Sequence, residues 1–131
     1  LLTQRLLAAT AWLRSNPKTQ TLSLGYFGAS TGAAAALQAA AKMEKKISAV
    51  VSRGGRPDLA GAVALGRVTA PTLLIIGGAD YGVIELNQQA DALMNCEKRL
   101  ILIPGATHLF EEPGTLQLAA HAAADWFTQY L

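Results

Sequence analysis

The amino-acid sequence predicts an α/β fold, a parallel sheet with flanking helices, and three observations carry the prediction. Short apolar runs of strand length alternate with longer segments whose apolar residues recur at helical spacing. Glycines and small residues stand where the runs end, as in Gly28-Ala29-Ser30-Thr31-Gly32 and Gly77-Gly78. The composition, 131 residues of which 51% are hydrophobic and 15% charged, is that of a folded core and excludes disorder. Strands that alternate with helices feed a parallel sheet through right-handed crossovers. No internal repeat or composition break divides the chain, so residues 1–131 read as one unit.

Leu2, Leu6, Ala9 and Leu13 recur at helical spacing until Asn16-Pro17 breaks the pattern, which predicts an amphipathic helix ending near Ser15. Residues 21–27 are rich in β-formers and end against a glycine, as a first strand does. Residues 31–42 are nearly all Ala and Leu, the composition of a buried helix. Residues 47–52 predict a second buried strand, Arg53-Gly54-Gly55-Arg56-Pro57 a loop, and residues 58–65 a short helical stretch. The continuous apolar run 72–76 is expected as a central parallel strand, residues 83–93 as a helix and residues 100–103 as a fourth strand. Glu111-Glu112-Pro113 is expected to open the last helix, because acidic residues suit its positive end and Pro its first turn. Leu116, Ala119, Ala120, Ala123, Phe127 and Tyr130 form the apolar stripe of that helix. Trp12 and Trp126 read as packing residues, His121 as a surface residue and Cys96 as a loop or core thiol.

Charge narrows the function classes. Eleven basic against nine acidic side chains leave a net charge of +2, scattered in ones and twos, which supplies no footprint for nucleic acid or an anionic membrane. One cysteine permits no intrachain disulfide, no Cys/His cluster has zinc-site spacing, and a reducing cytoplasm fits best. No apolar run approaches membrane-span length and no secretory leader precedes the first helix, so the chain reads as soluble and unprocessed. The first residue is Leu1 and the chain opens on a helical pattern without a cap, as a piece of something longer would.

Three side chains carry chemistry. Gly28-Ala29-Ser30-Thr31-Gly32 lies where a strand turns into a helix, and G-x-S-x-G in that context is a nucleophile elbow. Small residues on either side let strand and helix approach, which forces Ser30 into a strained turn with its hydroxyl above the sheet. Asp80 follows the third strand and His108 the fourth, so all three groups stand beyond the carboxyl ends of parallel strands, in the order Ser, Asp, His. Singly, each has a plain explanation: a helix-capping serine, a turn aspartate and a loop histidine. Their joint occurrence at successive topological positions is what argues for a site. Arg53 stands at the same edge, placed to hold a substrate carboxylate or phosphate, the alternative being a solvated loop arginine. Arg56 has Asp58 as a neighbour to pair with; Glu111 and Glu112 lie near enough to His108 to touch the substrate region, and their helix-start position explains them without catalysis.

Gly25-Tyr26-Phe27-Gly28-Ala29-Ser30-Thr31-Gly32-Ala33, Pro71-Thr72-Leu73-Leu74-Ile75-Ile76-Gly77-Gly78-Ala79-Asp80 and Pro104-Gly105-Ala106-Thr107-His108-Leu109-Phe110-Glu111-Glu112-Pro113-Gly114 together resemble the α/β-hydrolase superfamily, and within it the dienelactone-hydrolase-like branch. The resemblance spans nearly the whole chain. It implies the C-terminal half of an α/β-hydrolase fold, without the N-terminal strands. It also implies no metal or organic cofactor and kinship with small cytosolic hydrolases, some fused to or encoded beside phosphoribosyltransferases. True dienelactone hydrolases carry cysteine at the nucleophile position, and this chain has Ser30, so a serine esterase or thioesterase is the better transfer. The implied triad is Ser30, His108 and Asp80, with the backbone N–H of Thr31 and a second donor outside this chain as the oxyanion hole. The expected partner is a small ester or thioester substrate.

The strand that carries Ser30 would be central in a complete relative and an edge here. An unpaired apolar edge predicts a covering partner, either an N-terminal segment or a second copy. Two other functions compete with the esterase. Dinucleotide binding would also use a glycine-rich turn, but Gly25, Gly28 and Gly32 do not make G-x-G-x-x-G, and no acidic residue ends the second strand. A non-catalytic, truncated hydrolase module acting in binding or assembly keeps every residue observation and denies only turnover.

Overall fold

The computed structural model describes residues 1–131. Helix α1 (Leu2–Ser15) leads to β1 (Gly25–Ala29), α2 (Thr31–Met43) and β2 (Ala49–Arg53). A 3-10 turn at Pro57–Ala60 and the short α3 (Ala62–Arg67) connect to β3 (Thr72–Gly77), followed by α4 (Tyr81–Leu93), β4 (Lys98–Ile103) and α5 (Thr115–Tyr130). The four strands are parallel and lie in sequence order, β1-β2-β3-β4. Register is continuous: Ala29 lies beside Arg53, and Arg53 beside Ile75. The carboxyl ends of the strands therefore form one rim.

Period-two alternation sorts the strand side chains to two faces. Tyr26 and Val50 join Ala34, Ala36, Leu37, Ala39 and Ala40 of α2 in one core. Val51, Leu73 and Ile75 join Ala119, Ala123 and Trp126 of α5 in the other. Every residue of β3 is buried, and wholly burying side chains such as Leu74, Ile75 and Ile76 stabilises by about 1.5–3 kcal/mol each, so the sheet is anchored at this strand. The alanines of α2 serve closeness: with only a Cβ on the inner face, the helix axis can lie near the strands and bring its N-terminus against the end of β1.

Several expectations move. The first strand runs over Gly25–Ala29, not 21–27, because residues 16–22 are spent in a turn in which Asn16 Oδ1 accepts from Lys18 N at 2.9 Å and Thr19 Oγ1 donates to Leu13 O at 2.6 Å. The second strand starts at Ala49 and the fourth at Lys98, and the stretch 58–65 is divided at Gly61, whose φ of +89° interrupts the helix. The apolar spacing of α1 places its inner face only in part: Leu6 packs against the core that holds Tyr26 and Val50, and Leu13 is half-buried. Leu2 and Ala9 are exposed, and the buried residue is Thr10, whose hydroxyl lies 2.6 Å from that of Tyr26. Trp12 is exposed and does not pack, whereas Trp126 is buried and donates from Nε1 to Pro71 O at 3.2 Å. The last helix begins at Thr115, after Gly114 turns the backbone to φ +81°, so Glu111, Glu112 and Pro113 precede it. Within it Leu116 and Ala120 are exposed, and the stripe is carried by Ala119, Ala123 and Trp126. His121 lies on the surface and Cys96 is partly buried, its thiol pushed up in pKa by that burial. No helix is long and apolar enough to cross a membrane.

Candidate active site

Ser30 stands between β1 and α2 with φ 52° and ψ −126°. An L-residue holds such a backbone only where its surroundings over-determine it, at about 1–3 kcal/mol. The cause is visible in Gly28. A Cβ there would meet Gly32 O at 2.5 Å, Gly32 C at 2.6 Å and Ala33 Cα at 2.7 Å, all backbone atoms of α2. Strand and helix thus touch, and the one residue able to reverse the chain between them is forced into the strained region. Thr31 is the first residue of α2, where the backbone N–H lacks an intrahelical acceptor.

Beyond β3 and β4 the structure joins the other two predicted residues. His108 Nδ1 lies 2.8 Å from Asp80 Oδ2. An ionised carboxylate only accepts, so the bond is made by a proton on Nδ1, and Nε2 is the ring nitrogen turned away from Asp80. The Asp80 side chain is 16% exposed and that of His108 41%, so the acid is shielded while the imidazole faces the rim. The turn after β3 is held by Ala79 N–H donating to Ala106 O at 2.9 Å, which staples the Asp80 loop to the His108 loop. Gly77 permits the approach, since a Cβ there would fall on Ala106 O and lie 2.8 Å from Ala106 C.

The loop after β2 stands next to both parts. Arg56 N–H donates to Ser30 O at 2.9 Å, and Gly54, with φ +54°, lies where a Cβ would be 3.6 Å from His108 Nδ1. Ser30 and the His108–Asp80 pair therefore border one loop. No hydrogen bond joins Ser30 Oγ to His108. The Arg53 guanidinium lies 5.2 Å from the centroid of the Phe110 ring and in none of the ion pairs, so its charge is held by a ring face and left without a carboxylate. Arg56 pairs with Asp58 through two hydrogen bonds of 3.0 and 2.9 Å, which hold the Asp58 carboxyl below its usual pKa.

Two residues have partners that the sequence did not assign them. Glu112 accepts from Thr107 N at 2.9 Å and from Thr107 Oγ1 at 2.6 Å, and these bonds hold its carboxyl below the usual glutamate range. It clamps the loop beside His108 in place of opening a helix. Asn87 of α4 is fully buried and donates to Gly55 O at 3.0 Å and Val83 O at 2.8 Å. Its signal in the sequence is a polar residue on the stripe Val83, Asn87, Ala90, Met94.

The comparisons place the fold in a family. The chain is 56% identical to a dienelactone hydrolase from Anabaena variabilis, with a TM-score of 0.96, covering 98% of this chain and 59% of that one. A dienelactone hydrolase-like promiscuous phosphotriesterase from metagenomic libraries shares the fold at 17% identity and a TM-score of 0.77, over 98% of this chain and 61% of that one. Two curated relatives from strains of Mycobacterium tuberculosis, each provisionally named a phosphoribosyl transferase, are 59% identical over 131 residues. These 131 residues span 29% of those relatives' length. The family model described as the dienelactone hydrolase family matches residues 1–131. A strained serine at the strand-to-helix turn, a four-stranded parallel sheet and a family match along every residue lead to one assignment: the chain belongs to the dienelactone hydrolase family.

Proposed function

We propose that this chain carries the acyl-transfer centre of a serine hydrolase that acts on a small carboxylic ester or thioester. The observation that supports it most is the placement of Ser30, held at φ 52° and ψ −126° in the turn between β1 and α2, on the rim that also carries the 2.8 Å His108–Asp80 pair. In the reaction, His108 Nε2 takes the proton of Ser30 Oγ as the oxygen bonds to the substrate carbonyl carbon. The tetrahedral oxyanion is met by the Thr31 N–H, aided by the positive end of α2. The bond to the alcohol or thiol then breaks, and the proton on Nε2 leaves with that group. Water repeats the sequence on the acyl-enzyme and restores Ser30. Asp80 keeps the imidazole in the tautomer with Nε2 free and stabilises its charged form. Arg53 is the candidate for a substrate carboxylate or phosphate, because its guanidinium is held without a counter-ion at the same rim.

The test is fluorophosphonate labelling followed by intact mass, with Ser30→Ala and His108→Ala as controls. A single adduct, lost in both variants, is the expected result. One observation favours the non-catalytic reading: Ser30 Oγ has no hydrogen bond to His108. Catalytic hydrogen bonds are often long before substrate binds, so the labelling experiment, not the resting geometry, decides between the two. Absence of any adduct would sink the esterase reading for this chain.

A further inference from the structure

The strained backbone of Ser30 must be held from more than one side, and the side away from α2 is the loop after β2. One peptide group does this. Gly55 C=O and Arg56 N–H belong to the same planar unit. Its N–H donates to Ser30 O at 2.9 Å and its C=O accepts from Asn87 Nδ2 at 3.0 Å. Helix α4 thus reaches the nucleophile turn through a relay of two hydrogen bonds across a single amide. Hydrogen bonds so linked polarise one another, and each strengthens the next.

The loop has no other place to sit. A Cβ on Gly55 would fall on Ser52 Oγ and lie 2.5 Å from Ala33 Cβ, so the peptide is wedged between β2 and α2. Asn87 itself is committed. Its two N–H groups face two carbonyl oxygens, Gly55 O and Val83 O, which settles the orientation of the amide. Its Oδ1 is buried without a partner, a penalty that an apolar residue at this stripe position would avoid. The amide is therefore useful through its donors.

We propose that Asn87 is a positioning residue for the nucleophile, acting from α4 through the Gly55–Arg56 peptide on the backbone of Ser30. The proposal rests on the serine-hydrolase reading for its effect on reactivity, and on the hydrogen-bond relay alone for its effect on structure. A residue that only joined α4 to the loop would change thermal stability and leave Ser30 as reactive as before in the folded population.

The experiment compares the unmodified chain with Asn87→Leu, which is close in volume and lacks the donors. Three quantities are read: the rate of fluorophosphonate labelling at Ser30, the melting temperature, and the amide shifts of Arg56 and Thr31 by 15N NMR. The expected result is a labelling rate lower by about tenfold to a hundredfold at temperatures where both proteins are folded. The Arg56 amide proton should move upfield as its hydrogen bond weakens, and the Thr31 amide resonance, whose peptide carries the Ser30 C=O, should move with it. Labelling at the unmodified rate would overturn the proposal. If the unmodified chain does not label, the hydrolase reading fails and the shifts still decide: displaced Arg56 and Thr31 amides support the relay, and unmoved ones overturn it. Should Asn87→Leu not fold, hydrogen exchange in the unmodified chain decides instead. Protection of both the Asn87 side-chain amide and the Arg56 amide supports the relay, and exchange of either at the rate of an open loop overturns it.

Discussion

The two glycines of the Gly28-Ala29-Ser30-Thr31-Gly32 turn look equivalent in the sequence, and the structure separates them. A Cβ on Gly28 meets three backbone atoms of α2 at 2.5–2.7 Å, whereas a Cβ on Gly32 meets nothing within 4 Å. To restore an ordinary contact of about 3.5 Å, Gly28→Ala must open the turn by about 1 Å. No side chain can absorb that movement, because the obstructing atoms are backbone. Overpacking of this kind costs about 1–3 kcal/mol. For a chain of this size, between the ranges of smaller and larger domains, that is a fall in melting temperature of about 3–15 °C. A displacement of about 1 Å at the nucleophile also lowers reactivity by about a hundredfold. Gly32→Ala, in the first turn of α2, is expected to be neutral or stabilising by up to about 1 kcal/mol, since alanine suits a helix better than glycine. The assay pairs thermal melts with fluorophosphonate labelling on both variants. Equal stability and equal labelling of the two would refute the view that close approach of strand and helix creates the strain at Ser30.

Other expectations follow from the same rim. Asp80→Asn replaces the acceptor that keeps the His108 proton on Nδ1, and labelling of Ser30 is expected to drop by at least about a hundredfold with little change in melting temperature; unchanged labelling would remove Asp80 from the mechanism. The Glu112 carboxyl is held below its usual pKa, so the clamp on Thr107 is complete above the ordinary glutamate range and released as pH falls through the lowered folded value. Following the Thr107 amide shift through acid pH should give a midpoint below that of a free glutamate, and Glu112→Gln should abolish the titration. Trp126→Phe removes the bond from Nε1 to Pro71 O and is expected to cost about 1–2 kcal/mol in urea unfolding, with labelling unaffected.

The alternation of strands and helices was legible because it rests on apolar runs, and the four strands appear in the order expected. What shifted were ends and faces. Thr21-Leu22-Ser23-Leu24 has strand propensity, but the hydrogen bonds of Asn16 and Thr19 hold residues 16–22 in a turn and delay β1 to Gly25. Glu111-Glu112-Pro113 is a good helix opening by local rules, and Gly114 in the left-handed region overrides it. The places of Ser30, Asp80 and His108 on one rim were legible because each follows the end of a strand, where topology dictates position. Glu112 and Asn87 could not be assigned roles in that way. Theirs depend on where two loops fold back, Thr107 in one case and Gly55 in the other, and spacing along the chain carries no record of that meeting.

Strands laid down in sequence order bind almost wholly to the strand made just before, so the sheet grows by accretion, each crossover adding its own cover to the same side. Helix α5 is different. It packs back on β2, β3 and β4 and covers Val51, Leu73 and Ile75, residues that precede it by some forty to seventy positions. Without α5, Val51, Leu73 and Ile75 lose the cover of Ala119, Ala123 and Trp126. Helix α5 thus joins strands distant in the sequence into one cooperative body, and damage within it should injure folding more than its distance from Ser30 suggests. Chains cut before Thr115 are expected to be sticky intermediates even though Ser30, Asp80 and His108 all lie upstream of the cut.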